Sequence, residues 1–312
     1  MFPINFIVFI PYAFQIGSLI LNFQEKNIIF AHGIETVYFT PLDSGFFSDT
    51  LVTGASGFLG RCLREFLVSD SGSNPNLFDL DHPVLPDSGI SNIFHLAALV
   101  AYGIGDSKSL FESNVQLTEK LVSKYQDSRM VFASSVSVYG QQPGVLNEGS
   151  FPGNFAPYGL SKLWAEQWVS SLNDYAILRF PSLYGPGMNP NTIIPRFFSQ
   201  AMNKGFIEVW GDGSRQQYYL HASDASALMK CLMDSGKKGV FLGMGEKSYS
   251  NLELAVMIAR ITGAEIKHVG EDNSHSMKFN NSHTRKELGW SPAIELEEGL
   301  HQYFTWKKGQ LS

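Results

Sequence analysis

Short apolar runs and amphipathic stretches follow one another from Asp49 onward. The run DTLVTG is β-branched and apolar and ends in a glycine, and the next stretch, ASGFLGRCLREFLV, has apolar residues at helical spacing. This pattern predicts a strand, a turn and a helix, in that order. Further along, RMVFASSVSVYG predicts a buried strand that emerges into hydroxyl-bearing residues, and APYGLSKLWAEQWV predicts another helix.

The segment before Asp49 has a different pattern. It is largely apolar up to position 22, but Pro3 and Pro11 interrupt it and make it a poor membrane span. The first basic residue is Lys26, so the positively charged start of a secretory signal is missing. We interpret residues 1–47 as an extension without a chemical motif, either packed on the protein or translated upstream of the true start. Membrane contact by residues 1–23 is the remaining alternative.

Composition and charge restrict the class of protein. The 312 residues suffice for one large domain or two of ordinary size, and 44% hydrophobic and 17% charged residues are typical of a globular protein. The net charge of -6 provides no basic field, so we expect no nucleic-acid partner. Cys62 and Cys231 form no C-x-x-C pair, and the histidines lack metal-binding spacing. We therefore expect no metal site and a reducing, cytoplasmic compartment.

The predicted turn after the first strand has the pattern T-G-x-x-G-x-x-G, with Gly54, Gly57 and Gly60. Glycines at this spacing allow a tight turn, close approach of a pyrophosphate to backbone N–H groups, and close packing of the helix on the strand. Because the triplet lies between a strand and an amphipathic helix, it predicts dinucleotide binding.

The acidic residues Asp79 and Asp81 come at the end of the next short apolar run, NLF. A carboxylate there suits the ribose hydroxyls and favours NAD over NADP. Two alternatives stay open: both aspartates are turn residues beside Pro83, or Arg61 binds a 2′-phosphate. The stretch between Asp81 and the strand NIFHLAA is too short for a complete crossover helix and a further strand.

Tyr158 and Lys162 lie four residues apart on the predicted helix and therefore on one face of it. Making a phenol with a pKa of about 10 ionise at pH 7 requires about 4 kcal/mol. An ammonium group about 5 Å away supplies about 3 kcal/mol at an effective dielectric constant near 20. Tyr158 is thus a candidate base, and Ser135 a candidate for holding the substrate oxygen, for hydride transfer at an alcohol or ketone. A second such pair, Tyr303 and Lys307, has no glycine turn ahead of it, so we assign it to packing and solvation.

Seven ordered segments of the chain resemble the extended short-chain dehydrogenases/reductases, in their nucleotide-sugar epimerase/dehydratase branch. The segments are TGASGFLG, HLAA, ASSVSVYG, YGLSK, LRFPSLYGPG, WGDGSRQQYYLHASDAS and RKELGWSPAIELEEGL. The resemblance implies an α/β fold with a Rossmann-type doubly wound parallel sheet in residues 48–184 and 220–245. It also implies a smaller C-terminal α/β lobe, residues 185–219 and 246–312, which closes over a nucleoside-diphosphate sugar.

The resemblance also implies roles for single residues. Ser135, Tyr158 and Lys162 match the catalytic residues, and Asn114 matches a helix residue that supports the site, unless it is a solvated helix asparagine. The residues that match NAD(P) contacts are Gly54, Ser56, Gly57, Phe58, Leu59, Gly60, Asp79, Leu96, Ala97, Ala98, Tyr158 and Lys162. A homodimer that packs through helices, including the one with Tyr158, is implied as well.

Departures from the family pattern concern the substrate. Members that dehydrate or decarboxylate have an acidic residue shortly before Tyr139, where this chain has Val136-Ser137-Val138, so we do not expect those reactions. Ser182 occupies the place of a common asparagine, and Gln217 that of a common arginine, with Arg215 two residues earlier. Ser137, Ser182, Arg215 and Gln217 are the candidate substrate contacts. Phe155, Tyr184 and Trp210 are aromatic candidates for the pocket, unless they belong to the core.

The function predicted from these residues is epimerisation of a nucleoside-diphosphate sugar at C4 by transient hydride transfer to bound NAD. An NAD(P)H-dependent nucleotide-4-keto-6-deoxysugar reductase is the first alternative, because it would use the same three residues. A dinucleotide-binding protein without catalysis is the second. The resemblance implies synthesis of surface-polysaccharide precursors as the setting.

Overall fold

The structure is a computed structural model that describes residues 19–22, 27–30, 49–72, 74–79, 81–100, 106–153 and 156–310. The chain divides into two compact units, Met1–Phe46 and Phe47–Ser312. In the first unit, β1 (Leu19–Asn22) and β2 (Asn27–Phe30) pair antiparallel. The rest of the extension lies outside the described residues, and so do Phe155 and the question of membrane contact. In the described part of the chain, no helix combines the length and the apolar character that crossing a membrane requires.

A parallel sheet of six strands forms the centre of the second unit. Its strands are β3 (Thr50–Thr53), β4 (Asn76–Phe78), β5 (Asn92–His95), β6 (Arg129–Ser135), β8 (Tyr175–Phe180) and β12 (Gly239–Leu242). The spatial order is β12-β8-β6-β5-β3-β4, and every neighbouring pair is parallel. The chain moves from β3 outward to β4 and then returns to the other side of β3, so a topological switch point lies between β3 and β5.

Helices cover both faces of this sheet. They are α1 (Phe58–Ser71), α2 (Ser107–Leu110), α3 (Leu117–Lys124), α4 (Pro157–Ser170) and α6 (Ala222–Ser235), and a π-helical turn, Phe111–Gln116, joins α2 to α3. Successive strand residues point to opposite faces: Val52 packs against α1 and α6, whereas Leu51 packs against α3 and α4. The doubly wound parallel sheet predicted from the sequence is therefore confirmed.

The connection from β4 to β5 contains no helix in its described residues, as its length predicts. A short helical turn, Val136–Tyr139, follows β6 and precedes β7 (Val145–Leu146). The turn begins directly after Ser135, the last residue of the buried strand β6, and it contains Ser137. Both hydroxyl groups therefore lie at the carboxyl edge of the sheet.

A second hydrophobic core lies in the C-terminal part of the chain. Its elements are β9 (Ser182–Tyr184), α5 (Ile193–Lys204), β10 (Phe206–Trp210), β11 (Gln216–His221), β13 (Ser248–Ser250), α7 (Asn251–Thr262), β14 (Glu265–Val269) and α9 (Leu296–Gly309). Two further elements of this part of the chain lie outside that core: β15 (Lys278–Phe279) pairs with β7, and α8 (Ser282–Leu288) packs near α6 and β12. Strands β10 and β14 pair in parallel, and β11 lies between β13 and β9. Phe198, Ile207, Leu254 and Leu300 are among the residues of this core. Tyr303 packs within it, as the sequence analysis expects of the second tyrosine–lysine pair.

Candidate active site

The glycine-rich turn between β3 and α1 has no room for side chains at two positions. Gly54 has a φ of +69°, and a Cβ atom there would lie 2.6 Å from the backbone nitrogen of Ala97. A Cβ atom on Gly60 would lie 2.1 Å from the carbonyl oxygen of Gly54. Helix α1 thus packs directly on the turn, and its first turn has no acidic residue and no side-chain cap. Such N-terminal N–H groups bind phosphate, so the turn fits the pyrophosphate of a dinucleotide.

Asp79, the predicted ribose ligand, follows β4 and organises the next turn. Its Oδ1 atom accepts hydrogen bonds from the N–H groups of Asp81 and His82, each at 2.9 Å. Its Oδ2 atom is buried and has no hydrogen-bond partner within the described residues. Burial raises the pKa of this carboxyl, but the hydrogen bonds from His82 and Asp81 outweigh burial and lower it. Oδ1 thus has the turn role left open by the sequence, and Oδ2 is the oxygen of Asp79 that could accept a hydrogen bond from a ribose hydroxyl.

Arg61 is engaged with backbone groups. Its guanidinium donates hydrogen bonds to the carbonyl oxygens of Ser56 and, at 3.4 Å, Gly187. These two hydrogen bonds use two of the five N–H donors of the guanidinium, so Arg61 could still contact a 2′-phosphate.

Ser135, Tyr158 and Lys162 come together in one cavity of about 790 Å³. Ser135 ends β6, and its Oγ atom donates to Ser137 Oγ at 3.0 Å and accepts from Ser137 N at 3.1 Å. Pro157 starts α4, which places Tyr158 and Lys162 one helical turn apart with only 8% and 1% of their surfaces exposed. The three predicted catalytic residues therefore share one partly enclosed space.

The predicted cofactor residues divide into two groups around this cavity. Those that line it are Phe58, Leu59, Leu96, Ala98, Tyr158 and Lys162. Those that do not line it are Gly54, Ser56, Gly57, Gly60, Asp79 and Ala97. The cavity thus extends from the first residues of α1 to the catalytic residues.

Lys162 has an unusual electrostatic environment. Its ammonium nitrogen lies 4.1 Å from the centre of the Phe132 ring. Burial lowers the pKa of Lys162 to about 7, although the negative charge of Glu166 opposes the shift. The pairing predicted from the sequence requires Lys162 to be charged at neutral pH. Burial makes the ammonium form of Lys162 easier to deprotonate than that of an exposed lysine, and a nearby phenolate would favour the ammonium form again.

Glu166, one helical turn after Lys162, is already fully engaged. Its Oε1 and Oε2 atoms accept hydrogen bonds from Arg179 at 3.0 and 2.7 Å, and Oε1 also accepts from Ser134 Oγ at 2.5 Å. Because Arg179 neutralises this carboxylate, Glu166 compensates the charge of Lys162 only in part.

The segment 96–99 after β5 forms one rim of the cavity, and Asn114 joins this rim to α4. Its Oδ1 atom accepts from Leu99 N at 2.7 Å, and its Nδ2 atom donates to Leu99 O and to Ser161 Oγ, both at 2.9 Å. Ser161 Oγ in turn donates to the carbonyl oxygen of Tyr158 at 2.8 Å. Asn114 is only 2% exposed, so the alternative of a solvated helix asparagine is wrong. Its place in the π-helical turn agrees with the frequent occurrence of such turns at functional sites.

His95 supports the same rim, a role that the sequence analysis did not assign. Its Nδ1 atom lies 2.7 Å from Thr53 Oγ1, and its Nε2 atom lies 2.8 Å from Thr118 Oγ1. Thr53 Oγ1 also accepts hydrogen bonds from the N–H groups of Leu96 and Ala97. Burial and the nearby charge of Lys162 lower the pKa of His95 to about 3, so the ring is neutral. The position of His95 in the segment HLAA was the available signal for this role. Its partners Thr53 and Thr118 are distant in the sequence, so they could not be predicted.

The four candidate substrate residues also line the cavity. Ser137 lies beside Ser135, and Ser182 lies in β9. Gln217 donates a hydrogen bond to Asn251 Oδ1 at 3.0 Å. The Nε atom of Arg215 is buried without a hydrogen-bond partner in the described part of the chain, so this guanidinium retains donors for a ligand.

The aromatic candidates have different positions. Trp210 lines the cavity and is 55% exposed, whereas Tyr184 is 1% exposed and packs in the C-terminal core. For Tyr184, the core alternative is therefore correct.

The sequence analysis missed several cavity residues, namely Arg196, Gln200, Glu208, Glu271 and Asp272. Arg196 and Gln200 are four residues apart on α5, and this helical spacing was the signal that could have paired them. Glu208, Glu271 and Asp272 carry no recognisable motif. Glu208 lies in β10, and Glu271 and Asp272 follow β14 directly. These three residues come close only because β10 and β14 pair in the folded chain.

Comparisons with known proteins agree on one class of enzyme. The sequence model of the NAD dependent epimerase/dehydratase family matches residues 50–242. A dTDP-glucose 4,6-dehydratase from Streptomyces niveus is 28% identical, with 82% of this chain and 91% of the relative covered. The solved structure of MoeE5 with UDP-glucose and NAD is 27% identical, with a TM-score of 0.74 over 85% of this chain and 100% of the other.

A UDP-glucuronic acid 4-epimerase from Bacillus cereus, solved in complex with NAD, has the same fold. It is 22% identical and has a TM-score of 0.75, with 84% of this chain and 99% of the other covered.

Proposed function

Because the chain belongs to the NAD dependent epimerase/dehydratase family, we propose that it interconverts C4 epimers of a nucleoside-diphosphate sugar with bound NAD. The observation that carries the proposal is the meeting of Ser135, Tyr158 and Lys162 in a cavity that also reaches the start of α1. A sugar hydroxyl, the proton-accepting Tyr158 and a dinucleotide could meet there without any change of fold.

NAD would be held by the glycine turn, by the uncapped N-terminus of α1 and by the rim that Asn114 and Thr53 stabilise. Asp79 Oδ2 would accept from a ribose hydroxyl. The cofactor supplies a hydride acceptor during oxidation of the sugar and a hydride donor during its reduction. These contacts favour NAD, and Arg61 is the residue through which NADP would act.

Tyr158 would remove the proton of the C4 hydroxyl, while Ser135 donates a hydrogen bond to the same oxygen. Ionisation of Tyr158 would restore the positive charge of Lys162, since a phenolate nearby favours the ammonium form. The two side chains therefore share one proton, and the pair has joint rather than separate pKa values. The 4-keto sugar formed in this way would turn over before it is reduced on its other face.

The substrate diphosphate would lie near Arg215 and Arg196. Arg196 lies on an exposed part of α5, and none of its side-chain atoms has a hydrogen bond or ion pair with the described residues. Two guanidinium groups that make no side-chain hydrogen bond to the described residues line one cavity, and such a pair could bind an anion. Gln217, already bound to Asn251, would contribute an amide contact.

Epimerisation is favoured over dehydration by what lines the cavity near Tyr158. The residues there are Val136 and Ser137, which supply no acid for removal of the C6 oxygen. A 4-keto-6-deoxysugar reductase remains the second candidate, because it needs the same three residues and differs in releasing its cofactor. A dinucleotide-binding protein without catalysis is the third candidate.

We also propose that the protein is a homodimer that packs through α4. The two charged residues of α4, Lys162 and Glu166, are buried, whereas Leu160 and Trp164 are about half exposed. Phe111 lies with its ring 5.1 Å from that of Trp164 and extends this apolar surface, which we call the α4 surface. An exposed helix face without charge is typical of a subunit interface.

We further propose that the chain divides into a dinucleotide domain and a substrate lobe. We also propose a reducing, cytoplasmic setting, in which Cys62 and Cys231 stay free.

The test is mass spectrometry of nucleotides released from the purified protein, followed by incubation with UDP-, dTDP- and GDP-sugars. We expect NAD to copurify and a C4-epimeric pair to equilibrate without net change in cofactor. Net consumption of NADH or NADPH with a 4-keto sugar would identify the reductase instead. Bound dinucleotide without turnover of any sugar would support the non-catalytic candidate.

A further inference from the structure

The part of the cavity formed by β10 has an aromatic side chain, Trp210, close to a carboxylate, Glu208. Residues Ile207 and Val209 of β10 are fully buried, so Glu208 and Trp210 lie on the opposite face of the strand, two residues apart. Both line the cavity. The Trp210 ring rests on Gly270, where a Cβ atom would lie 2.5 Å from it, so the ring is held in place on one side.

Gln200 of α5 is fixed against Glu208 by two hydrogen bonds. Its Oε1 atom accepts from Glu208 N at 3.0 Å, and its Nε2 atom donates to Glu208 Oε2 at 2.7 Å. The backbone N–H group can only donate, so it determines which end of the amide faces the strand. One N–H of Gln200 is left as a donor beside the acceptor-only carboxylate of Glu208, whose other oxygen lies 3.4 Å from Lys204 Nζ.

The charges of the cavity indicate which part of the ligand reaches the region formed by β10. Glu208, Glu271 and Asp272 line the cavity, and carboxylates repel a diphosphate unless a cation compensates their charge, as the nearby Arg215 does in part for Asp272. Phosphates would instead lie near Arg196 and Arg215, and the reacting sugar near Tyr158. The neutral base is the remaining part of a nucleoside-diphosphate sugar, and Trp210 offers it a stacking surface.

We propose that Gln200 and Glu208 select the substrate's base by reading a carbonyl group next to a ring N–H group. Uracil, thymine and guanine present this pair, so they can accept from Gln200 and donate to Glu208. Cytosine presents an amino group and an unprotonated ring nitrogen instead, which would set a donor against a donor and an acceptor against an acceptor. The inference rests on the proposed function, because it assumes a nucleoside-diphosphate ligand in this cavity.

The experiment is calorimetric titration of the protein with UDP, dTDP, GDP and CDP, with NAD saturating so that the dinucleotide site is occupied. Because a mismatched polar contact discriminates strongly, we expect CDP to bind at least about tenfold more weakly than UDP. Glu208→Gln supplies an amide that can donate to the cytosine ring nitrogen, so the preference should fall to about threefold or less.

Two further variants separate base reading from other effects. Glu271→Gln removes the same charge from the same cavity and should keep the preference for UDP over CDP. Trp210→Leu should weaken UDP and CDP by a similar factor, because stacking does not distinguish these bases.

The inference is overturned if the wild type binds CDP as tightly as UDP, or if Glu271→Gln abolishes the preference as Glu208→Gln does. A protein that keeps the UDP preference but epimerises no sugar would contradict the proposed function alone. Equal epimerisation of UDP- and CDP-sugars would contradict the base selection alone.

Discussion

The ammonium nitrogen of Lys162 lies 4.1 Å from the centre of the Phe132 ring, on the buried side of α4. The aromatic face offers it attraction but cannot replace the water it has lost, and its pKa is lowered to about 7. The ammonium form of Lys162, which is the form that would assist Tyr158, therefore lowers the free energy of unfolding.

Lys162→Met should raise the melting temperature at pH 7, by roughly 5 °C or more, while it abolishes turnover. The sign follows from the pKa values of the two states. Between a folded pKa of about 7 and an unfolded value of 10.5, the unfolded chain binds more protons, so wild-type stability rises with pH. The stability gap between variant and wild type should thus be largest below pH 7 and shrink towards pH 10.

Scanning calorimetry at several pH values measures this gap. Lys307→Met, in the other tyrosine–lysine pair, should show no such trend. A Lys162→Met protein that is less stable than wild type at pH 6 would contradict the assigned environment.

Tyr158→Phe should lower turnover by at least about a thousandfold, because the phenylalanine ring has no proton to exchange with the substrate hydroxyl. Bound NAD should remain, since the ring can still fill its place in α4. Turnover is followed by chromatography of the sugar nucleotides, and NAD by mass spectrometry. Tyr125→Phe, which loses only a hydrogen bond to Pro86 O, should keep wild-type turnover. Wild-type activity in Tyr158→Phe would remove this residue from the base role.

Asn114→Ala should weaken NAD binding by about tenfold or more, because both polar groups of Leu99 and the Ser161 hydroxyl lose a partner. Titration of NAD into the protein stripped of nucleotide measures the loss. Asn203→Ala, on an exposed part of α5, is the matched control and should bind NAD normally. Normal NAD affinity in Asn114→Ala would show that the rim is stable without this side chain.

Gly60→Ala should prevent NAD binding, since the added methyl group would lie 2.1 Å from the carbonyl oxygen of Gly54. The turn would have to move away from α1 and so lose its phosphate-binding geometry. Gly309→Ala is the control, because no atom of the described residues outside its own helix turn lies within 4 Å of its added methyl group. Retention of bound NAD by purified Gly60→Ala would contradict the assignment of this turn.

Trp164→Glu should convert the proposed dimer to a monomer, because a charge would then lie in the α4 surface. Light scattering coupled to gel filtration measures the mass directly. Val84→Glu changes another apolar residue, one that is 78% exposed and lies outside the α4 surface, and should leave the mass unchanged. A wild-type protein that is already monomeric at micromolar concentration would reject the dimer itself.

Local patterns were sufficient to predict the central features of this protein. The glycine turn depends on backbone geometry within a few residues, and the placement of Tyr158 and Lys162 one turn apart on a helix depends only on the helical repeat. The short stretch after Asp81 likewise predicted the missing crossover from its length. These features needed no knowledge of distant contacts, and the structure contains each of them.

The electrostatics and the far end of the cavity could be decided only by the folded chain. The charge of Lys162 depends on burial against β6, and the role of Asn114 depends on Leu99, which lies 15 residues earlier in the sequence. No sequence pattern pairs Gln200 with Glu208, and their contact exists only where α5 packs beside β10. Desolvation and hydrogen bonding act between groups that are close in space. Sequence spacing reveals such groups only when one helix, strand or turn carries them both.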